Sequence, residues 1–171
     1  MKKQTAQEAS HWKPALISSA AVLITAMAYA VIRYNIIKGV SWEHLPLYIS
    51  NKGIALASVV LIALAYVFGP LTRFRPKVFA RFIPLEKYFG LLGFGLAAVH
   101  GIISLLLFSP ANYPKFFLET GKLNLTGELS MLFGVLGFII FSLVAISDIP
   151  GVIDSAEKWK LVQRLGYLAY V

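Results

Sequence analysis

Residues 53–71 read GIALASVVLIALAYVFGPL and contain no charged side chain. An α-helix rises about 1.5 Å per residue, so it needs about 20 apolar residues to cross the roughly 30 Å hydrocarbon layer of a bilayer. This stretch has that length. A buried helix of a soluble protein is the alternative for any single run, and the rest of the chain decides between the two.

Three further apolar runs of similar length accompany this stretch. The chain is 58% hydrophobic, has a mean hydropathy of +0.72 and carries only 14% charged residues, too few to cover a globule in water. The sequence therefore predicts an all-α, polytopic transmembrane helical bundle. Its complete spans are expected at about residues 14–37, 53–71, 87–108 and 127–147.

The last part of the chain predicts the start of a fifth span. A turn signal at residues 149–151 precedes Trp159, and residues 159–171 are mostly apolar. Thirteen residues rise about 20 Å, less than the hydrocarbon thickness, so we expect an incomplete crossing. A short re-entrant or interfacial helix is the alternative. Residues 1–13 would form a polar tail, and residues 14–171 a single transmembrane domain.

The basic residues predict the orientation. Although the net charge is +8, the bases lie between the apolar runs, which excludes a compact nucleic-acid-binding face and indicates the lipid bilayer as partner. The tail, the second loop and the last segment hold 11 of the 16 lysines and arginines, and the other two loops hold 5. The amino terminus is therefore expected in the cytoplasm. The polar opening is followed by a long run without a cleavage site, so the first span should be retained as an anchor.

Few residues could carry chemistry. The chain has no cysteine, which excludes thiolate metal sites, and it lacks a phosphate-binding loop or a dinucleotide fingerprint. Of its three histidines, His11 and His44 lie in the tail and the first loop, where no second ligand stands at metal-binding spacing. His100 lies inside the third predicted span. An ionisable side chain within a membrane needs a partner and is a functional hypothesis by default.

Small residues share roughly one face of the helix around His100. They should form a shallow groove beside the imidazole, and they are Gly93, Ala97, Gly101 and Ser104. Such a groove is suited to close approach of another helix, with His100 hydrogen-bonded across the interface. It also leaves room for a flat macrocycle whose iron the imidazole would hold. The sequence leaves both open.

Three segments, in order, resemble the ferric reductase-like transmembrane domain family, which includes the haem-binding membrane subunit of the methionine sulfoxide reductase system. The resemblance covers roughly residues 51–171. The segments are NKGIALASVVLIALAYVFGPLTRF, KYFGLLGFGLAAVHG and SLVAISDIPGV followed by EKWKLVQRLGYLAYV.

The resemblance implies a b-type haem that carries electrons through the membrane. His100 corresponds to a haem ligand of the family, with its groove of small residues beside it. At another family histidine position this chain has Gln163, and a further one would fall beyond Val171, so a second ligand is absent from this chain. The implied protein is an oxidoreductase electron-transfer component of the plasma or bacterial inner membrane, without its own nucleotide-binding domain. A quinone or flavin would come from a redox partner subunit. A scaffold or transporter component without haem is the alternative.

Overall fold

The computed structural model describes residues 2–147, Val152 and residues 155–170, and it is 86% helical. No strand occurs in this described part of the chain; residues Phe117 and Leu123 form an isolated antiparallel bridge. The residues that the structure describes form six α-helices in chain order. They are α1 Lys2–Val31, α2 Ser50–Phe74, α3 Pro76–Phe79, α4 Glu86–Leu107, α5 Leu125–Ser147 and α6 Ala156–Tyr170.

Among the described residues, four helical segments are long and apolar enough to cross a membrane, which confirms the predicted all-α polytopic fold. They are His11–Ile37, Trp42–Phe74, Pro76–Leu107 and Leu125–Ser147. Helix α6 begins three residues before Trp159 and is 15 residues long. The predicted turn at residues 149–151 lies outside the described residues.

Short helical turns extend the first two spans beyond their α-helices. A π-helical turn at Ile32–Ile37 follows α1, and turns at Trp42–His44 and Leu45–Ile49 lead into α2. Pro14, where the first span was expected to begin, lies inside α1, because this helix starts upstream at Lys2. Hydrocarbon strongly favours continuous helix, since backbone groups left unpaired there are costly.

The chain divides into two compact units, residues 1–100 and 101–171, and the division falls within α4. In the first unit, side chains of α1, α2 and α4 form a buried core, which includes Ala15, Leu61 and Phe89. Phe68 stacks on Phe82 with ring centroids 5.0 Å apart, and Trp12 meets Tyr88 edge-on at 4.7 Å. Aromatic packing thus joins the ends of these helices opposite the end that holds His100.

In the second unit, Asn124 organises the start of α5. Its Oδ1 accepts a hydrogen bond from the Gly127 backbone N–H at 2.9 Å, as an N-cap residue does. Its Nδ2 donates to the Lys115 carbonyl at 2.9 Å, which ties the preceding loop to the helix. Phe108 packs against Tyr113 and Phe117 in the same loop. The loop between α4 and α5 is therefore folded onto the helix ends.

Candidate functional site

His100 lies towards the carboxyl end of α4, and Asn51 lies in the first turn of α2. The side chains meet with His100 Nδ1 2.8 Å from Asn51 Oδ1. Asn51 is completely buried, whereas His100 is half-buried. Two polar side chains that are 49 residues apart in sequence thus form a hydrogen bond between two membrane helices.

The chemistry of this pair fixes which imidazole nitrogen donates. An amide oxygen can only accept a hydrogen bond, so Nδ1 of His100 must carry the proton. In a neutral imidazole the lone pair then lies on Nε2. Lys52, next to Asn51, adds a positive charge that interacts with His100. The pair therefore holds the imidazole in place, and with Asn51 Oδ1 as the acceptor the donor is Nδ1.

The small residues of the predicted groove have different surroundings. A methyl group at Gly93 would lie 2.8 Å from Ile62 Cγ1 and 3.0 Å from Ile62 N, so Gly93 is the point where α4 approaches the α2 backbone closely. At Gly101, no described atom lies within 4 Å of the position that a methyl group would take. Ala97 and Ser104 are half-buried. Helix packing occupies the Gly93 position, and space remains at Gly101.

Gln163, which the resemblance implies stands at a family histidine position, contacts a side chain of the neighbouring helix. Its Nε2 donates to Ser147 Oγ at 3.2 Å, and Ser147 Oγ donates in turn to the Val144 carbonyl at 2.7 Å. Ser147 is buried at the end of α5. The glutamine amide therefore joins α6 to α5.

The other two histidines do not join His100. His11 is half-buried, with its ring 6.4 Å from the Tyr88 ring, and His44 is exposed, with its ring 6.3 Å from the Tyr48 ring. Within the part of the chain that the structure describes, no group of three or more histidine, cysteine or acidic side chains could hold a metal ion.

Comparison with known families identifies the helical region. A family model described as ferric reductase-like transmembrane component matches residues 52–171, well over half of the chain. The chain belongs to this family. A search of curated proteins gave no match.

Membership of the ferric reductase-like family supports a membrane electron-transfer component as the class of function. His100 is the only histidine within the matched residues. Since haem brings four nitrogen ligands of its own, it needs only axial ligands from protein, and an imidazole with its lone pair on Nε2 is such a ligand. By its chemistry, His100 could therefore supply one protein ligand to a haem iron.

The sequence alone did not identify Asn51 as the partner of His100. Asn51 stands beside Lys52 at the beginning of an apolar run, where a polar residue is ordinary. The register of α2 against α4 is what makes it the partner of His100. The only signal in the sequence was the general requirement that an intramembrane imidazole has a partner.

Proposed function

We propose that this protein is a membrane electron-transfer subunit that binds a b-type haem through His100. Electrons would cross the bilayer towards an acceptor on the non-cytoplasmic side. The observation that carries the proposal is that the family match contains one histidine, and that this histidine lies on a membrane helix and is hydrogen-bonded to Asn51. A haem supplies one-electron redox chemistry, and the protein's contribution is to hold and tune it.

Each part of the site has a separate task in this proposal. His100 would hold the haem iron through its imidazole, and Gly101, the next residue of α4, adds no side chain beside it. The apolar helices exclude water and set a low dielectric, which influences the reduction potential. The donor would be a quinol or a flavin held by a redox partner subunit.

The orientation is part of the proposal. The excess of lysine and arginine in the tail, the second loop and the last segment indicates a cytoplasmic amino terminus in the plasma or bacterial inner membrane. His100 would then lie in the half of the bilayer that is remote from the cytoplasm. A reporter fused to either terminus, or labelling of single cysteines introduced in the loops, would test this orientation.

A difference spectrum tests haem binding. The purified protein should show b-type absorption bands when the reduced spectrum is compared with the oxidised one, and His100→Ala should lose them. His44→Ala is the matched control, because it removes an exposed imidazole outside the family match. Absence of the bands from the unmodified protein supplied with haem would refute the proposal.

A scaffold or transporter component without haem is the second candidate. The observation that favours it is the His100–Asn51 hydrogen bond itself, which satisfies the imidazole between two helices without any cofactor. In that case neither the unmodified protein nor His100→Ala would bind haem, and the substitution would change only the stability of the bundle. The same spectra, together with unfolding measurements, separate the two candidates.

A further inference from the structure

The partner of His100 has a specific consequence for iron binding. A histidine ligates haem iron through one ring nitrogen, and the hydrogen bond of the other nitrogen determines which one is available. Asn51 Oδ1 lies 2.8 Å from His100 Nδ1. Because the amide oxygen is an acceptor, this contact holds the proton on Nδ1 and the lone pair on Nε2.

We propose that Asn51 is a positioning residue, whose side-chain oxygen holds His100 ready to bind haem iron through Nε2 and tunes the potential of that iron. This inference rests on the proposed haem-binding function. It adds a residue that lies just before the family match and that contacts the ligand rather than the haem.

The surroundings of Asn51 make it a rigid acceptor. Its side chain is completely buried, and so is the neighbouring Ile49. Gly53, on the same turn of α2, lies against α1, because a methyl group there would be 3.1 Å from the Met27 Cα. Helix α1 therefore packs closely against this turn of α2. An oxygen held in this way fixes the orientation of the imidazole at little entropic cost.

Hydrogen bonding to Nδ1–H makes the imidazole a stronger donor to iron, and a stronger donor favours the ferric state. Removal of the acceptor should therefore raise the reduction potential and weaken haem binding. Loss of such an outer contact typically lowers metal affinity by about 10–100-fold. A carboxylate in place of the amide should act in the opposite direction on the potential.

The tautomer can be measured without haem. We suggest ¹⁵N nuclear magnetic resonance of the haem-free protein, with labelled histidine, reconstituted in lipid. His11→Gln and His44→Gln assign the signals, since the chain has three histidines. His100 should carry its proton on Nδ1 in the unmodified protein and in Asn51→Asp, and become a mixture of tautomers in Asn51→Leu. A proton on Nε2 in the unmodified protein would overturn the inference.

Haem titration and redox potentiometry complete the test. Asn51→Leu should bind haem about 10–100-fold more weakly. Its reduction equilibrium should shift by about tenfold, which is about +59 mV for a one-electron couple, and Asn51→Asp should shift it downwards. Ser58→Ala is the matched control, because Ser58 is a buried polar residue of α2 that donates to Ala55 O within its own helix.

The outcomes distinguish this inference from the proposed function. If the unmodified protein binds no haem, the proposed function fails, whatever the tautomer. A different outcome is that the unmodified protein binds haem through His100, with both Asn51 variants matching the Ser58→Ala control in tautomer, haem affinity and reduction potential. In that case only the positioning role of Asn51 fails. Asn51→Asp keeps an acceptor, so it remains informative if Asn51→Leu does not fold.

Discussion

Gly93 provides the sharpest test of how α2 and α4 pack. The carbon added by Gly93→Ala would lie 2.8 Å from Ile62 Cγ1, 3.0 Å from Ile62 N and 3.1 Å from Leu61 Cβ. Carbon atoms pack best at about 3.5–4.0 Å, so the new methyl group is about 0.4–0.9 Å too close to Leu61 Cβ. Ile62 N is a backbone atom, and Leu61 Cβ is bonded directly to the backbone of its own residue. A side-chain rotation cannot relieve both contacts, and the helices must separate.

The expected cost follows from two opposing effects. Overpacking of this kind destabilises by about 1–3 kcal/mol. Replacing a helical glycine by alanine stabilises by about 0.5–1 kcal/mol, because the unfolded chain loses freedom. Gly95→Ala is the matched control on the same helix, since no described atom lies within 4 Å of its methyl position. The difference between the two variants isolates the clash and should be about 1–3 kcal/mol.

Reversible unfolding in mixed detergent micelles, followed by circular dichroism, measures this difference. The free energy of unfolding should be clearly lower for Gly93→Ala than for Gly95→Ala. Equal stability of Gly93→Ala and Gly95→Ala would show that α4 does not approach the α2 backbone at Gly93. Gly93 is also two turns before His100, so separation of the helices should lengthen the His100–Asn51 hydrogen bond and mix the imidazole tautomers.

Two further variants test the second unit. Asn124→Ala removes the N-cap of α5, whose Oδ1 accepts from Gly127 N, and should destabilise the protein by about 1 kcal/mol in the same unfolding assay, whereas Asn124→Ser should retain most of the cap. Gln163→Leu removes the contact with Ser147 Oγ and should lower the protection of α6 amides in hydrogen exchange; unchanged protection would show that this contact does not hold α6 to α5.

Hydropathy predicted the four crossings because the bilayer imposes a strict requirement on length and polarity. The first span illustrates the limit of that argument. Its α-helix continues upstream through Pro14 and ends in a π-helical turn at Ile32–Ile37, and hydropathy is insensitive to both features. The exact path of the backbone depends on local hydrogen bonding and on neighbouring helices, so apolar composition alone does not determine it.

The candidate site was only half predictable for a related reason. His100 stands out in the sequence because an ionisable group within a membrane is rare. Its partner does not, because Asn51 resembles any polar residue at the end of a span. Gly93 and Gly101 also look alike in the sequence, yet one packs against α2 and the other faces open space. Helix register and tilt decide these differences, and both arise from packing between distant segments.

The energetics of the His100–Asn51 contact bear on whether it serves stability alone. Hydrogen bonds between membrane helices contribute on average about 0.6 kcal/mol, and at most about 1.7 kcal/mol in the cases measured. Asn51 is completely buried, and an apolar side chain there would remove the acceptor of the His100 ring N–H, which costs about 1–3 kcal/mol. The pair therefore stabilises the packing of α2 against α4 with or without a cofactor. Under the proposed haem-binding function, the same contact would also select the nitrogen of His100 that is offered to iron, a task that an apolar side chain could not perform.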